Sequence, residues 1–235
     1  MRSFWFNGKC SAAFGLTANG TGTFDAPERD VESVSIAGVN GDLILDNGRF
    51  KNKTVPYPVF IHREFGKNAA AVRAWLMSAK GYCRLEDEYT PDTYRMAIFA
   101  GPIDFDMQFL NKIGETTLFF NAKPQRFLKS GDQVLSITAA TTLRNPTAFP
   151  AKPMITVHGN TAGTLTVGER TVEIKSIPDG SLVLDCEIMD AYWEGNNRNS
   201  CIYAPEFPEL VPGNNAISGT GGITSIEIIP RWWTL

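Results

Sequence analysis

The chain has 235 residues, with 22 Lys and Arg against 25 Asp and Glu, a formal net charge of −3 and 43% hydrophobic residues. That composition excludes global disorder and suits one large domain or two modest ones, with a core that needs no staples. Residues 1–145 carry 17 Lys and Arg against 15 Asp and Glu, and residues 146–235 carry 5 against 10. Neither half therefore has the basic stripe that phosphate neutralisation demands, and specific nucleic-acid binding is not expected.

Most of the chain reads as short β-strands. Val34-Ser35-Ile36 alternates as a half-buried strand does, bracketed by Pro27 and Gly38. Asp42 to Asp46, followed by Asn47-Gly48 and Arg49-Phe50, reads as a hairpin, because Asn-Gly accepts the positive φ angles of a type I′ turn. Residues 51–62 (KNKTVPYPVFIH) are β-rich, but Pro56 and Pro58 donate no ladder hydrogen bonds, which places the segment at an edge or in an extended arm. A helix follows: Asn68 caps its start, Val72, Trp75, Leu76 and Ala79 keep helical spacing, and Gly81 ends it. Core packing is the default fate of such a stripe.

Residues 82–85 and 94–99 read as strands joined by the acidic turn 86–92, and further β segments are expected at 103–109, 116–120 and 134–138. Asn145-Pro146, with Pro150 and Pro153 close behind, breaks the pattern where the charge balance shifts. The expected domains are therefore residues 1–145 and 146–235. Beyond the break, Thr164 to Val167, the turn Gly168-Glu169, and Arg170 to Ile174 read as a tight hairpin. Pro178-Asp179-Gly180 turns the chain into an alternating strand at 181–187, and residues 223–230 supply another. Many short strands at near-regular spacing argue for a sandwich or jelly roll.

Enzyme signatures are missing: no G-x-S-x-G elbow, no H-E-x-x-H, no Walker loop, and no G-x-G-x-x-G between a strand and a helix. Gly219-Thr-Gly-Gly222 precedes a strand and reads as a turn. Asp104 and Asp106 sit two apart on an expected strand, so they share a face and form a candidate acid–base or calcium pair, against the simpler reading of a solvated face. His62 and His158 have no partner at a recognisable spacing and read as structural or surface residues. Cys10, Cys83, Cys186 and Cys201 are scattered without C-x-x-C spacing, which suits reduced structural thiols, synthesis in a reducing cytoplasm, and no zinc site. The opening residues show neither the apolar run nor the cleavage pattern of a signal peptide, and no window reaches the roughly 18 apolar residues of a membrane span. The aromatic stretches Tyr192-Trp193-Glu194 and Arg231-Trp232-Trp233 offer a possible sugar-stacking platform, against the commoner use of such rings to close a core or an interface.

A series of short motifs runs along the chain, beginning with Phe4-x-Phe6-Asn7-Gly8-Lys9, Phe14-Gly15-Leu16, and the stretch from Pro27 to Asp42 with its hairpin. Trp75-Leu76, Gly81-Tyr82-x-Arg84-Leu85 and Phe120 to Arg126 follow. Asn145-Pro146, Leu184-Asp185-Cys186, Pro212-Gly213-x-Asn215 and Pro230-Arg231-Trp232 complete the set over nearly the whole chain. In the order and spacing of these motifs, the sequence resembles the distal tail protein (Dit) family of long-tailed siphophages. The resemblance implies a mainly β fold: an N-terminal β-sandwich elaborated by one helix and a β-hairpin, then a galectin-like β-sandwich of jelly-roll type. It also implies a virion structural protein at the tail tip, made in the bacterial host cytoplasm and without enzyme activity, cofactor, metal or membrane insertion. Its copies would form a homohexameric ring around a channel that passes DNA without specific binding. That ring would join the major tail tube protein to the tail-associated lysin or hub protein, and to receptor-binding or baseplate proteins.

Phe4, Phe6, Val55, Tyr57 and Phe60 are the expected subunit-interface residues, because they lie in segments that offer apolar side chains without an obvious core strand. Two other readings stay open: a carbohydrate-binding β-sandwich using Trp193 or Trp232, and an enzyme built on Asp104 and Asp106.

Overall fold

The computed structural model describes residues 2–18, 26–108 and 113–235. The fold is mainly β, and the chain forms two compact units that divide between Arg126 and Phe127. The strands Leu135–Ile137 and Thr141–Asn145 pair with Gly213–Ile229, so they belong to the second unit, and the Asn145-Pro146 break expected as a boundary falls inside it.

The first unit is one curled antiparallel sheet. Its strands run in the spatial order Lys9–Cys10, Phe4–Phe6, Cys83–Asp87, Thr93–Phe99, Ile113–Leu128, Lys53–Ile61 and Leu16–Ala18. A bridge between Ala18 and Arg2, just before Phe4–Phe6, brings the last strand back beside that one, so the sheet closes on itself. Closure explains the burial pattern. Lys53–Ile61 alternates strictly, with Val55, Tyr57, Val59 and Ile61 inside, and Leu118, Phe120 and Ala122 of its neighbour face the same interior. Pro56 and Pro58 pair with Phe119 and Thr117 in the middle of that ladder. A proline fits there because alternate positions of an antiparallel pair exchange no hydrogen bonds, so an absent N–H is missed only on the far edge.

The helix Phe65–Ser78 starts three residues before the expected Asn68 and buries Ala69, Val72, Trp75 and Leu76 against the sheet interior. Glu64 is its N-cap, and Asn68, one turn in, reaches back to donate its amide to the Arg63 carbonyl at 2.9 Å. Trp75 ties the helix down: its ring stacks on Phe14 with centroids 4.4 Å apart, and its indole N–H donates to the Phe6 carbonyl at 3.1 Å.

The Asn47-Gly48 hairpin is not formed. Leu43–Phe50 is one continuous strand that pairs with Arg29–Val34, and the true turn is the 35–42 loop. Asn47, Gly48 and Arg49 stand against Asp30 alone, a bulge in which Gly48 takes φ +69° and donates its N–H to Asp46 Oδ1 at 2.8 Å. Asn-Gly supplies the same left-handed backbone to a bulge as to a turn, and the longer apolar run favours the bulge. Ser35 and Ile36 accordingly lie in the loop and are exposed rather than half-buried in a strand.

In the second unit, two long strands, Met154–Val167 and Gly213–Ile229, pair along almost their full lengths. The first half of Met154–Val167 also pairs with Ser181–Asp185, and its second half with Arg170–Ile174 through the expected Gly168-Glu169 turn. The ladder bends where the register shifts between His158 and Gly163. Glycines line this corner because backbone lies on backbone: a Cβ on Gly222 would overlap the Thr161 hydroxyl and carbonyl, and one on Gly163 the Thr220 carbonyl. Gly219 to Gly222, expected as a turn before a strand, is therefore the elbow of a single strand. Ile155, Val157, Leu165, Val167, Leu184 and Ile228, all fully buried, fill the space between the folded halves.

Candidate functional site

The ribbon formed by Arg29–Val34 and Leu43–Phe50 pairs with no other strand among the described residues. Its register sets two faces: Glu32, Val34, Leu43 and Leu45 point one way, and Val31, Ser33, Ile44 and Asp46 the other. Val31, Val34, Leu43, Ile44 and Leu45, with Ile36 and Val39 of the loop, are 39% to 60% exposed. Large apolar side chains are thus uncovered on both faces, a pattern that marks an interaction surface on a soluble protein. A two-stranded ribbon standing alone is marginal in water, so its order gains from a cover that the described residues do not supply.

Charges gather at the ribbon base and neutralise one another there. Arg29 meets Asp46 at 3.2 Å, Lys51 meets Glu28 at 3.1 Å, and Arg49 donates to Asp30 at 2.6 Å. The Arg49 guanidinium holds the Asp30 carboxyl below its usual range. From Val31 to Leu45 the sequence has no Lys or Arg, and its acids are Glu32 and Asp42.

The expected interface residues lie elsewhere. Phe4, Phe6, Val55 and Tyr57 are at most 5% exposed and belong to the first unit's core. The Phe4 ring stacks on Tyr57 at 5.0 Å, and Phe6 packs on Phe120 at 5.1 Å. Tyr57 donates its hydroxyl to Asp87, and burial together with that carboxylate pushes the phenol pKa far up. These side chains have no surface to offer another copy. Phe60 differs: it is half-buried on the outward face of its strand, beside the His62 ring at 5.8 Å.

The chemical candidates separate as well. Asp104 and Asp106 are exposed, and the strand expected at 103–109 is the short Asp106–Gln108, so Asp104 precedes it; Phe109 lies outside the described residues. His158 has partners that the sequence spacing did not show, since Ser181 is its cross-strand neighbour. His158 Nδ1 lies 2.8 Å from Ser181 Oγ, and its Nε2 lies 3.7 Å from Glu227. Ser181 is only 8% exposed, so this trio links strands rather than presenting a nucleophile. No group of three or more His, Cys, Asp or Glu among the described residues is arranged to hold a metal. Burial pushes the Cys186 thiol up to about 12, which makes it inert.

No sugar platform assembles from the aromatic stretches. Trp232 is 5% exposed in the core, and Trp233 donates its indole N–H to the Pro150 carbonyl at 2.9 Å while stacking on Phe149. Arg231 turns away with φ +57° to form a bidentate pair with Asp185 at 2.6 and 2.9 Å. Tyr192, Trp193 and Trp233 are half-buried, and Trp233 is engaged with Phe149 and Pro150.

Motifs that carried the family resemblance prove to be folding nodes. Asn145 donates to the Phe149 and Leu210 carbonyls at 2.9 Å and accepts from Thr147. Asn215, fully buried, joins Val211, Gly213 and Leu143. Leu184-Asp185-Cys186 and Pro230-Arg231-Trp232 meet through the Asp185–Arg231 pair.

No family model matches the sequence, and no curated protein is significantly similar to it. The fold, by contrast, has close counterparts. The Dit protein of phage SPP1, described as a paradigm of the hub adsorption apparatus in phages that infect Gram-positive bacteria, superposes with a TM-score of 0.78 at 11% identity, covering 100% of both chains. A chain of the phage P2 baseplate in its activated conformation with Ca gives 0.54 at 8% identity over 97% of each chain, and the form with Sr gives 0.53. The chain has the Dit fold.

Proposed function

We propose that this chain is a structural protein of a phage or prophage virion, a distal tail hub whose copies form a homohexameric ring. The ring joins the tail tube to the tail tip or baseplate and surrounds the DNA channel. One observation carries the reading: the fold of a protein described as a hub of the adsorption apparatus is matched over the full length of both chains. The uncovered ribbon supports it, because a ring subunit must display apolar surface that only assembly hides. Near-balanced charge in residues 1–145 suits a conduit, since every neutralised phosphate would slow passing DNA.

The partners are further copies of the chain, the major tail tube protein, the tail-associated lysin or hub protein, and receptor-binding or baseplate proteins. The role needs no bond-making chemistry and no cofactor. Mass photometry and negative-stain imaging of the purified full chain, alone and with tail-tube and hub partners, test the assembly. Six-copy rings are expected. A protein that stays monomeric at high concentration with those partners present refutes it, as do intact virions that lack the polypeptide at their tail tips.

A further inference from the structure

We propose that the ribbon face bearing Glu32, Val34, Leu43 and Leu45 seats on the outward face of the helix Phe65–Ser78 of a second copy, with Glu32 opposite Arg73. This rests on the self-associating hub reading and adds the two surfaces that meet. The helix buries one side and turns Gly66, Ala70, Ala74 and Met77 to solvent, with Lys67 on one flank and Arg73 on the other. Met77 is 57% exposed, and the alanines make the track shallow enough for a flat strand pair to lie close. From Ala70 to Met77 the track runs about 10 Å, enough to receive the apolar residues of one ribbon face.

Charge selects the partner. The helix has Lys67 and Arg73 and no acidic residue, whereas the ribbon between Val31 and Leu45 is acidic and lacks any cation. Lys67 already meets Glu64 at 3.4 Å, which leaves Arg73 to face the lone carboxylate among the leucines. An apolar surface with a single acid thus meets an apolar track with a single unengaged base, and the same chain carries both. Because ribbon and helix are different surfaces, the contact suits head-to-tail, heterologous assembly, which passes from copy to copy until a ring shuts.

A charge-swap series on the full chain decides the matter. Glu32→Arg and Arg73→Glu, both at exposed positions, are expected to leave the circular dichroism and melting temperature unchanged. Each is expected to weaken self-association about 10-fold in analytical ultracentrifugation. The double variant Glu32→Arg/Arg73→Glu is expected to recover most of that loss. Single variants that assemble like the wild type, or a double variant no better than the singles, overturn the pairing while self-association itself stands. A wild-type chain that never associates, even at high concentration with tail-tube and hub partners present, overturns the hub reading along with it.

Discussion

Replacing Asp185 with Asn tests the clamp that holds the C-terminal segment onto the second unit. Asp185 accepts two hydrogen bonds from Arg231, and its side chain is 11% exposed against 27% for the arginine. Exposed pairs contribute less than about 1 kcal/mol, whereas breaking a buried pair costs about 3–5 kcal/mol through the stranded charge. This pair lies between the two limits, so Asp185→Asn is expected to destabilise the second unit by about 2 kcal/mol. For a unit of this size that lowers its melting temperature by about 8 °C in differential scanning calorimetry. The Arg231 hydrogen bonds hold the Asp185 carboxyl below its ordinary range. Its folded value therefore lies under its unfolded one, so the stabilisation is complete above about pH 4 and fades as the pH falls through the folded value. Arg231 stays charged throughout, so the wild type should lose more stability than Asp185→Asn between pH 5 and pH 2. An unchanged melting temperature, or parallel pH curves for the two proteins, would refute the reasoning.

Gly222→Ala should destabilise the second unit by at least about 2 kcal/mol in urea denaturation, because the added Cβ meets Thr161 backbone as well as its hydroxyl. Trp75→Ala should cost the first unit about 3–5 kcal/mol, since it removes a buried ring and leaves the Phe6 carbonyl without its donor. Leu43→Ser with Leu45→Ser should do the reverse of a core change: melting of the dilute chain is unaffected, while larger species vanish from mass photometry.

Local patterns in the sequence located the elements well where local chemistry decides them. The hairpin through Gly168-Glu169 and the stripe Val72, Trp75, Leu76 depend on neighbours within a few residues, and both form as expected. What covers a strand is a long-range question. Phe4, Phe6, Val55 and Tyr57 read as arms because their segments are short or proline-broken, yet closure of the sheet by Arg2 and Ala18 turns them inward. Leu43, Ile44 and Leu45 are the apolar run of an expected strand, and only the absence of a neighbouring layer among the described residues makes them a surface. Gly219 to Gly222 carried a turn signal, whereas the cause of Gly221 and Gly222 is the close approach of residues 161–163 from a distant part of the chain.

The long ladder between Met154–Val167 and Gly213–Ile229 has a mechanical meaning. Its hydrogen bonds lie across the strands, so tension that draws the two strands past each other along their axis loads the bonds together, in shear, rather than opening them one at a time. A ladder loaded in this way resists as a unit. It yields late, all at once, and stays rigid until it does.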